Sequence, residues 1–534
     1  MEKNEIYVGT AQGYDEDGAG VVKIDGFVLF VKGLLDGEKA EIAITKMKKK
    51  HGYARVVKLL EESKERVVPK CSVYKQCGGC TLQHMSYEEQ QRFKTDKVIR
   101  CFKNNAHLDV EPLPILNGGQ EWNYRNKVLV PVQLNGYDVE MGFYQNHTNK
   151  IIPCDNCEVQ TPLSNNIARF LKKTFVNLRC ATTIRHVLIK HAHASNQAMV
   201  VLISRKYPFW GVEELVKKTV ERFPEIKSME VIVNQREDNV ILDGKEILVH
   251  GNPYIEENLM DCTFRISAKS FYQINPYSTK ELYRTAIDYC GLTGTETVLD
   301  MYCGTGTMGI IAAKNSRLVY GIDNVEEAIN DAKTNAKIND VSNIRFFTMD
   351  AAKGADTLLR SKVSVDVAIV DPPRKGCTRE TLDAIVRISP KRLVYVSCDP
   401  ATLARDVAIL RESGYELQKI QPVDMFPQTA HVETVVQLSK GNISSQNVRV
   451  EFSLEDMDMS RFQQGATYEQ IQEWVQEKYG FHVTHLNIAK MKRKCGITER
   501  INYNLPKSEN SKSPGTPKEK EEAIIDAFRH FQMF

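Results

Sequence analysis

The hydrophobic rhythm of the chain changes from one stretch to the next. Residues 4–62 alternate short apolar runs with glycine turns: Ile6–Val8, Gly20–Ile24, Gly26–Val31 and Lys39–Ile44. Short, evenly spaced strands broken by glycine predict an OB-like β-barrel, placed at residues 1–65. Residues 66–260 mix two periods. Residues 84–104 read as helical from Tyr87 to Cys101, Lys127–Val132, Met141–Tyr144 and Ala198–Ile203 as strands, and Val212–Arg222 as a helix. That mixture predicts an α+β central domain. Over 261–440, apolar runs of strand length (Thr297–Asp300, Leu318–Ile322, Val367–Val370, Leu393–Val396) alternate with helical stretches. This predicts a Rossmann-like α/β domain with a largely parallel sheet. Residues 441–534 form an extension. Thr467-x-x-Gln470 is a capping-box start for a helix that turns Ile471, Trp474 and Val475 inward and stops at Gly480. A basic run (Lys490, Lys492, Arg493, Lys494), a Ser/Pro/Lys linker at Pro506–Glu522 and a short helix at Ala523–Phe531 follow.

A length of 534 residues fits about three or four such domains. The hydrophobic share of 42% and charged share of 26% are those of a soluble globular chain. No apolar run approaches ~18 residues, and none follows Met1, so a cytoplasmic protein without membrane contact is expected. In that setting thirteen cysteines, an odd number, read as thiols, metal ligands or catalytic groups rather than disulfides. A net charge of +3 provides no global field, so binding to nucleic acid would need local basic patches. One such patch is Lys46, Lys48, Lys49, Lys50, Arg55 and Lys58 with His51 and Tyr53. Phosphates attract clustered cations and bases stack on aromatic rings, although a solvated lysine-rich hairpin has the same composition.

Chemistry gathers where strands end. Gly304-x-Gly306-x-x-Gly309 matches a dinucleotide-binding loop. Asp300, which closes the strand before it, would repel a pyrophosphate and instead suits a cationic ligand with an amino group, such as S-adenosylmethionine. Asp323 then stands where a ribose diol would lie, and Asp350 where an adenine would. Asp371-Pro-Pro-Arg374 leaves its strand rigidly, because two prolines cannot continue a ladder. Cys398 ends the apolar run Leu393–Val396, at the strand end where open α/β sheets bind ligands. A buried cysteine is ordinarily an inert small residue. Beside a methyl donor it has a use. A thiolate added to carbon 6 of a pyrimidine makes carbon 5 nucleophilic, and a base must afterwards remove the carbon-5 proton. Glu433 is the candidate base and His431 its rival. A free thiol is only a few per cent ionised at neutral pH, so the site must lower its pKa or protonate the uracil oxygen as attack occurs.

Five segments occur together in order: Phe271-Tyr-Gln-Ile-Asn275, Asp300-x-Tyr-Cys-Gly-Thr-Gly306, Asp371-Pro-Pro-Arg-Lys-Gly376, Val394-Tyr-Val-Ser-Cys398 and His431-Val-Glu433. In order and spacing they resemble the RNA uracil-5-methyltransferases, and the N-terminal barrel resembles the TRAM domain of that family. The similarity covers about residues 4–440 and is greatest to the iron–sulfur 23S rRNA enzymes. It implies a seven-stranded methyltransferase domain at 261–440. It also implies Cys398 as nucleophile, Glu433 as base, and Gln273, Tyr302, Asp323, Asp350 and Asp371 as S-adenosylmethionine-binding residues. Two positions depart from the family pattern. Asp399 replaces the usual Asn after the nucleophile and is expected to raise the thiol pKa, and Asp323 replaces a Glu.

The cysteines allow two readings. Cys77-x2-Cys80 with Cys154-x2-Cys157 has zinc-site spacing and leaves Cys71 unused. The resemblance instead implies a [4Fe-4S] cluster on Cys71, Cys77, Cys80 and Cys157, pinning the central domain, with Cys154 spare. Four thiolates suit either. The expected partner is RNA, specifically 23S rRNA, with no protein partner inferred. The target uridine must be flipped out, and Phe271 and Tyr272 are either stacking platforms or core rings. The alternatives are the same chemistry on tRNA, or a non-catalytic RNA-binding or ribosome-assembly factor. The joint presence of Cys398 and Glu433 argues against the factor. No role for residues 441–534 follows from the sequence.

Overall fold

The computed structural model describes residues 1–441 apart from 137 and 147, together with 468–495 and 517–531. They belong to two compact units that divide after residue 443. No described helix is long and apolar enough to cross a membrane.

The first unit opens with a closed barrel. Ile6–Tyr14, Gly20–Ile24, Phe27–Lys32, His51–Glu61 and Lys39–Met47 pair in that order, and the last closes on the first. Alternation buries Ala11, Val22, Leu29, Val31, Ala40 and Ile42 inside it. A side chain at Gly20 would stand 2.7 Å from the Leu34 carbonyl, so glycine is required there. On the outside, the rings of Phe30, His51 and Tyr53 cluster, and Lys48 lies 5.3 Å from the Tyr53 ring centre.

A mixed seven-stranded sheet follows, built on Ile226–Val233, Gln197–Ser204, Ile184–Ala192 and Lys127–Asn135, with Lys245–Gly251 at one edge and Asp138–Tyr144 and Ile151–Pro153 at the other. Its central strands are apolar on both faces. Val187, Ile189, Val200 and Leu202 pack with residues of helices Pro162–Leu178 and Val212–Arg222. Leu188, Met199, Val201 and Ile203 instead join the core of the next sheet. Burial on both faces accounts for the unbroken apolar run at Ala198–Ile203.

The second sheet has eight strands in the order Ile344–Thr348, Leu318–Asp323, Thr297–Met301, Val367–Val370, Arg392–Ser397, Glu433–Lys440, Tyr415–Asp424 and Leu116–Asn117. Seven come from residues 297–440. The eighth, only two residues long, comes from upstream of the central sheet and pairs with Val423 and Asp424. The order reverses between Thr297–Met301 and Val367–Val370, which makes their carboxyl ends a ligand crevice.

Residues expected with the central domain also serve this sheet. Helix Tyr87–Ala106 packs on helix Pro400–Glu412 and strand Tyr415–Asp424. Its fully buried Lys94 donates to Asp424 Oδ1 at 2.6 Å and to the Phe426 carbonyl at 3.0 Å. Gln90 exchanges two hydrogen bonds with Gln428, at 2.9 and 3.1 Å, and Lys97 donates to the Ala430 carbonyl at 3.0 Å. One helix thus clamps the loop that leads into Glu433.

In the second unit, helices Tyr468–Tyr479, His485–Lys494 and Lys518–His530 share a core of Ile471, Val475, Ile488, Met491, Ile524 and Phe528. Trp474 is only partly buried. The last helix begins five residues before the expected Ala523, inside the stretch read as a linker. Glu519 and Glu521 in its first turn complement the positive helix end. Thr467 of the capping box and 506–516 of the linker lie outside the described residues.

Lys94 and Asp424 yield a stability prediction. Lys94→Met leaves Asp424 as an uncompensated buried charge and should cost about 3–5 kcal/mol. The double variant Lys94→Met/Asp424→Leu should recover most of that loss. Denaturant unfolding of both variants checks this.

Candidate active site

Three carboxylates and one thiol converge at the crevice. Asp300, at the end of its strand, lies next to Ile369 in register, and Asp371 follows Val370. Ser397 pairs with Thr434 in the antiparallel ladder, so the next residues on each chain, Cys398 and Glu433, stand opposite each other. Directly opposed residues carry Cβ atoms about 4.5–5.5 Å apart. The strand period of two puts Asp300, Asp371 and Glu433 on the face that also carries Val298, Ile369 and Val435, the face shared with the central sheet.

The glycine loop builds the side of the crevice next to Asp300. Tyr302, Gly304 and Gly306 have φ of +64°, +52° and +78°, a left-handed path that lifts the backbone out of the strand and into helix Thr307–Ala313. A Cβ at Gly306 would meet the Phe346 ring at 2.9 Å, so that position must be glycine. Asp323 braces the loop: its carboxylate accepts from the Gly304 and Val325 amides, both at 2.9 Å. Asp350 caps helix Ala351–Arg360 through Ala352 and Lys353. The Tyr302 hydroxyl reaches Thr381 Oγ1 at 3.3 Å. Gln273 is buried, and Asn126 Nδ2 donates to its carbonyl at 3.1 Å. Phe271, two residues earlier, is 66% exposed, whereas Tyr272 is buried in the core.

Asp300 is 1% exposed, and neither carboxylate oxygen makes a normal hydrogen bond among the described residues. Burial drives its carboxyl up to about 8, with further repulsion from Asp371 and Asp323. A buried acid with no charged partner, eased only by the nearby Gly309 backbone N–H, at a ligand crevice beside a glycine cradle, fits a ligand that brings its own cation. S-adenosylmethionine does so through its amino group, and Asp300 with the Gly304–Gly306 loop would hold it.

The reacting end is a coupled group. Burial raises Glu433 to about 8, with Asp371 adding to the rise and Arg374 opposing it. Burial also raises Asp371 to about 7. The half-buried Cys398 thiol is pushed up to about 11 by burial first and then by Glu433, with Arg374 pulling the other way. Asp399, expected to raise the thiol, is occupied elsewhere: its side chain caps helix Pro400–Glu412 by accepting from the Ala401 and Thr402 amides at 2.9 and 3.3 Å. Arg374 is the cation that opposes both rises, of Glu433 and of Cys398, and its sequence signal is a charge placed directly after two rigid prolines. His431 sits at the rim, 3.5 Å from Arg374 and edge-on to Phe426, and desolvation followed by the guanidinium lowers its ring to about 4.

The cysteines form a second focus. Cys71, Cys77, Cys80, Cys154 and Cys157 are all half-buried. Burial raises Cys80 and Cys154 to about 12 and Cys157 to about 11, and neighbouring thiols from the same five add to each rise. The loops that carry them meet, with Cys77 bridging to Gln145 and the Gly78 amide donating to the Tyr144 carbonyl at 3.1 Å. Among the described residues, no three His, Cys, Asp or Glu side chains are spaced to hold a metal ion. The five thiols are therefore gathered, but not at the spacing of a metal site.

Comparison with known proteins agrees with this architecture. Residues 86–441 match the family described as tRNA (uracil-5-)-methyltransferase, and residues 10–57 match the TRAM domain. An RNA methyltransferase of Halalkalibacterium halodurans is 40% identical over 451 residues, covering 83% of this chain and 98% of that protein. One from Clostridium acetobutylicum is 39% identical over 451 residues, covering 82% and 98%. The crystal structure of Pyrococcus abyssi tRNA (uracil-54, C5)-methyltransferase with S-adenosyl-L-homocysteine superimposes with a TM-score of 0.64 at 27% identity, covering 81% of this chain and all of that one. With a family match over most of the first unit and relatives this similar along their whole length, the chain belongs to the RNA uracil-5-methyltransferase family and carries its TRAM domain.

Proposed function

We propose that the protein transfers a methyl group from S-adenosylmethionine to carbon 5 of a uridine in 23S rRNA. The observation that carries this is the placement of the Cys398 thiol opposite the buried Glu433 carboxyl, beside the Asp300 crevice. Gln273, Tyr302, Asp323, Asp350 and Asp371 are assigned to the methyl donor. Asp323 and Asp350 already brace the loop and helix that frame its pocket, so they act on the donor partly through the backbone.

In this reading the Cys398 sulfur bonds to carbon 6 of the flipped uracil, and the electron pair shifts through carbon 5 toward the carbonyl oxygen at carbon 4. Carbon 5 then takes the methyl group that the donor supplies. Glu433 accepts the carbon-5 proton, the sulfur–carbon 6 bond breaks, and the thiol leaves. A thiol at about 11 is not ionised in advance, so its attack must coincide with transfer of its proton to the uracil carbonyl oxygen, which gives a proton up again as the carbonyl re-forms, and the departing sulfur recovers one. Arg374 favours the thiolate and the carboxylate alike. A carboxyl near 8 is well matched to taking a proton at neutral pH. Phe271, exposed at the mouth, offers a ring for the flipped base.

Similarity to the iron–sulfur subgroup, together with the gathered cysteines, supports rRNA as the substrate. The Pyrococcus structure, whose title names a tRNA enzyme, supports the second reading, tRNA. We assign Cys71, Cys77, Cys80 and Cys157 to a [4Fe-4S] cluster, with zinc on Cys77, Cys80, Cys154 and Cys157 as the alternative. One zinc ion at ~2.3 Å would draw four sulfurs close together, whereas a cluster takes each thiolate on a different iron. Half-buried thiols that raise one another suit thiolate ligation in either arrangement, and the family resemblance favours the cluster.

Labelled S-adenosylmethionine should place 5-methyluridine in unmodified 23S rRNA and not in tRNA. Cys398→Ala should abolish the label, and Glu433→Gln should trap a protein–RNA adduct seen as a shifted denaturing-gel band. Label in tRNA alone would move the substrate, and normal turnover by Glu433→Gln would make His431 the base. The value of kcat/KM should rise with pH toward about 8, because Glu433 must lose its proton to act; a falling profile would give it an acid role. Protein purified without oxygen should be brown and absorb near ~400 nm, and a colourless preparation with one zinc would favour the alternative set.

A further inference from the structure

Arg374 has an exposed side chain whose guanidinium reaches His431 Nε2 at 3.5 Å. A contact that long does little to hold it. Where its charge stands is therefore decided by the backbone of the loop from Asp371 to Cys377. Helix Pro400–Glu412, which starts two residues after Cys398, anchors that loop. Asp406, fully buried on the helix, is the centre of the anchor. Its Oδ2 accepts from the Cys377 amide at 2.8 Å and from the Tyr395 hydroxyl at 2.7 Å. Its Oδ1 accepts from Arg405 Nε at 2.8 Å. Arg405 Nη2 in turn donates to the Lys375 and Cys377 carbonyls at 3.0 and 3.3 Å. One turn earlier, Thr402 Oγ1 donates to the Arg374 carbonyl at 3.3 Å. Gly376 permits this close approach. Its φ is +72°, and a Cβ there would stand 2.6 Å from both Arg405 Nη2 and Asp406 Oδ2.

One carboxylate thus joins three parts of the frame. Tyr395 lies on the strand that ends just before Cys398, Cys377 closes the Arg374 loop, and Asp406 lies on the helix that Asp399 caps. Tyr395 packs with Leu393 and Val436, on the face of the sheet away from the crevice acids. A buried carboxylate is costly unless it is paired and hydrogen-bonded, and this one has a guanidinium, an amide and a hydroxyl. It ties the strand that carries the thiol to the loop that carries the guanidinium, and so fixes the distance between them.

We infer that Asp406, with Arg405, is a positioning residue for the proposed methyl transfer: it holds Arg374 beside Cys398 and Glu433, whose roles rest on that reading. Glu433, Arg374 and Asp371 are the charges that act on the thiol, and of these Arg374 alone favours the thiolate. A loosened loop lets the exposed guanidinium turn into solvent, and the thiolate loses the charge that favours it.

The test is the rate at which iodoacetamide alkylates Cys398 in the full chain at about pH 8, followed by peptide mass spectrometry. That rate follows the thiolate population and needs neither RNA nor methyl donor. Circular dichroism first establishes that Asp406→Asn keeps the fold. If it does not, Arg405→Gln takes its place, at a side chain 47% exposed. The variant should alkylate about threefold more slowly than the unaltered chain, because tenfold less thiolate is partly offset by a more basic sulfur. Arg374→Ala should show the same loss, and the double variant Asp406→Asn/Arg374→Ala should be no slower than Arg374→Ala. A merely structural loosening would open the half-buried thiol and speed its alkylation. An unchanged or faster rate, or losses that add in the double variant, would overturn the inference. In methyl transfer, Asp406→Asn should lose kcat while KM for S-adenosylmethionine stays within about twofold. A raised KM with kcat kept would place Asp406 with the donor instead and overturn its link to Arg374. An unaltered chain that transfers no methyl group would overturn the proposed function, while the alkylation rates still decide whether Asp406 positions Arg374.

Discussion

The site depends on the antiparallel pairing of Arg392–Ser397 with Glu433–Lys440. Their register, Ser397 against Thr434, is what brings Cys398 and Glu433 face to face. A slip of one residue would turn Glu433 to the opposite side of the sheet. The core forbids that slip. Val394, Val396 and Val435 fill one face, while Leu393, Tyr395, Val436 and Leu438 fill the other. The parallel strands beside this pair bring Asp371 and Asp300 to the same edge, and the left-handed loop after Met301 opens a pocket above them. The geometry of the candidate site is thus a property of strand register, set by apolar residues in the core.

That arrangement concentrates acids. Asp300, Asp371 and Glu433 share a small desolvated region, and Arg374 is the nearby cation that opposes the rise of Glu433. Their carboxyls are therefore shifted upward, to about 8, 7 and 8. For Glu433 the sign is clear. A folded value above the ordinary 4.5 means that its contribution to stability is complete below 4.5 and is lost as pH rises through about 8. An empty site that ionises strains the fold, and a cationic ligand relieves that strain by favouring the charged carboxylate. The same neighbours explain why the thiol is held high rather than activated, so that in the proposed reaction its attack is coupled to proton transfer.

Local chemistry was legible in the sequence because strand ends, glycine loops and Pro-Pro exits each leave a short pattern. The pairing of Tyr87–Ala106 and Leu116–Asn117 with a strand some three hundred residues later was not, since contacts at that separation leave no local period. Gln90 meeting Gln428 belongs to the same class. Asp399 is a different kind of miss. An acid directly before Pro400 is an N-cap signal with proline at the first helical position, and it was read as a charge beside a thiol. Asp350 likewise caps a helix. The start of helix Lys518–His530 was hidden by composition, because a Lys/Glu-rich stretch looks like linker although both residues form helix well. For the cysteines, spacing along the chain indicated a common purpose, but how the thiols approach one another depends on two loops far apart in sequence.

Those loops also bear on the catalytic register. Directly after Cys80, the amides of Thr81 and Leu82 both donate to the Gln428 carbonyl at 3.0 Å, and Thr81 Oγ1 accepts from the Ala430 amide at 3.2 Å. Gln428 has a left-handed φ of +69° and is held from the other side by Gln90. The segment that delivers Glu433 is therefore gripped between helix Tyr87–Ala106 and the cysteine-bearing loop. That loop belongs to the same compact unit as the methyltransferase sheet. Whatever fixes Cys71, Cys77 and Cys80 also fixes Gln428, and through it the entry of Glu433 into the strand opposite Cys398.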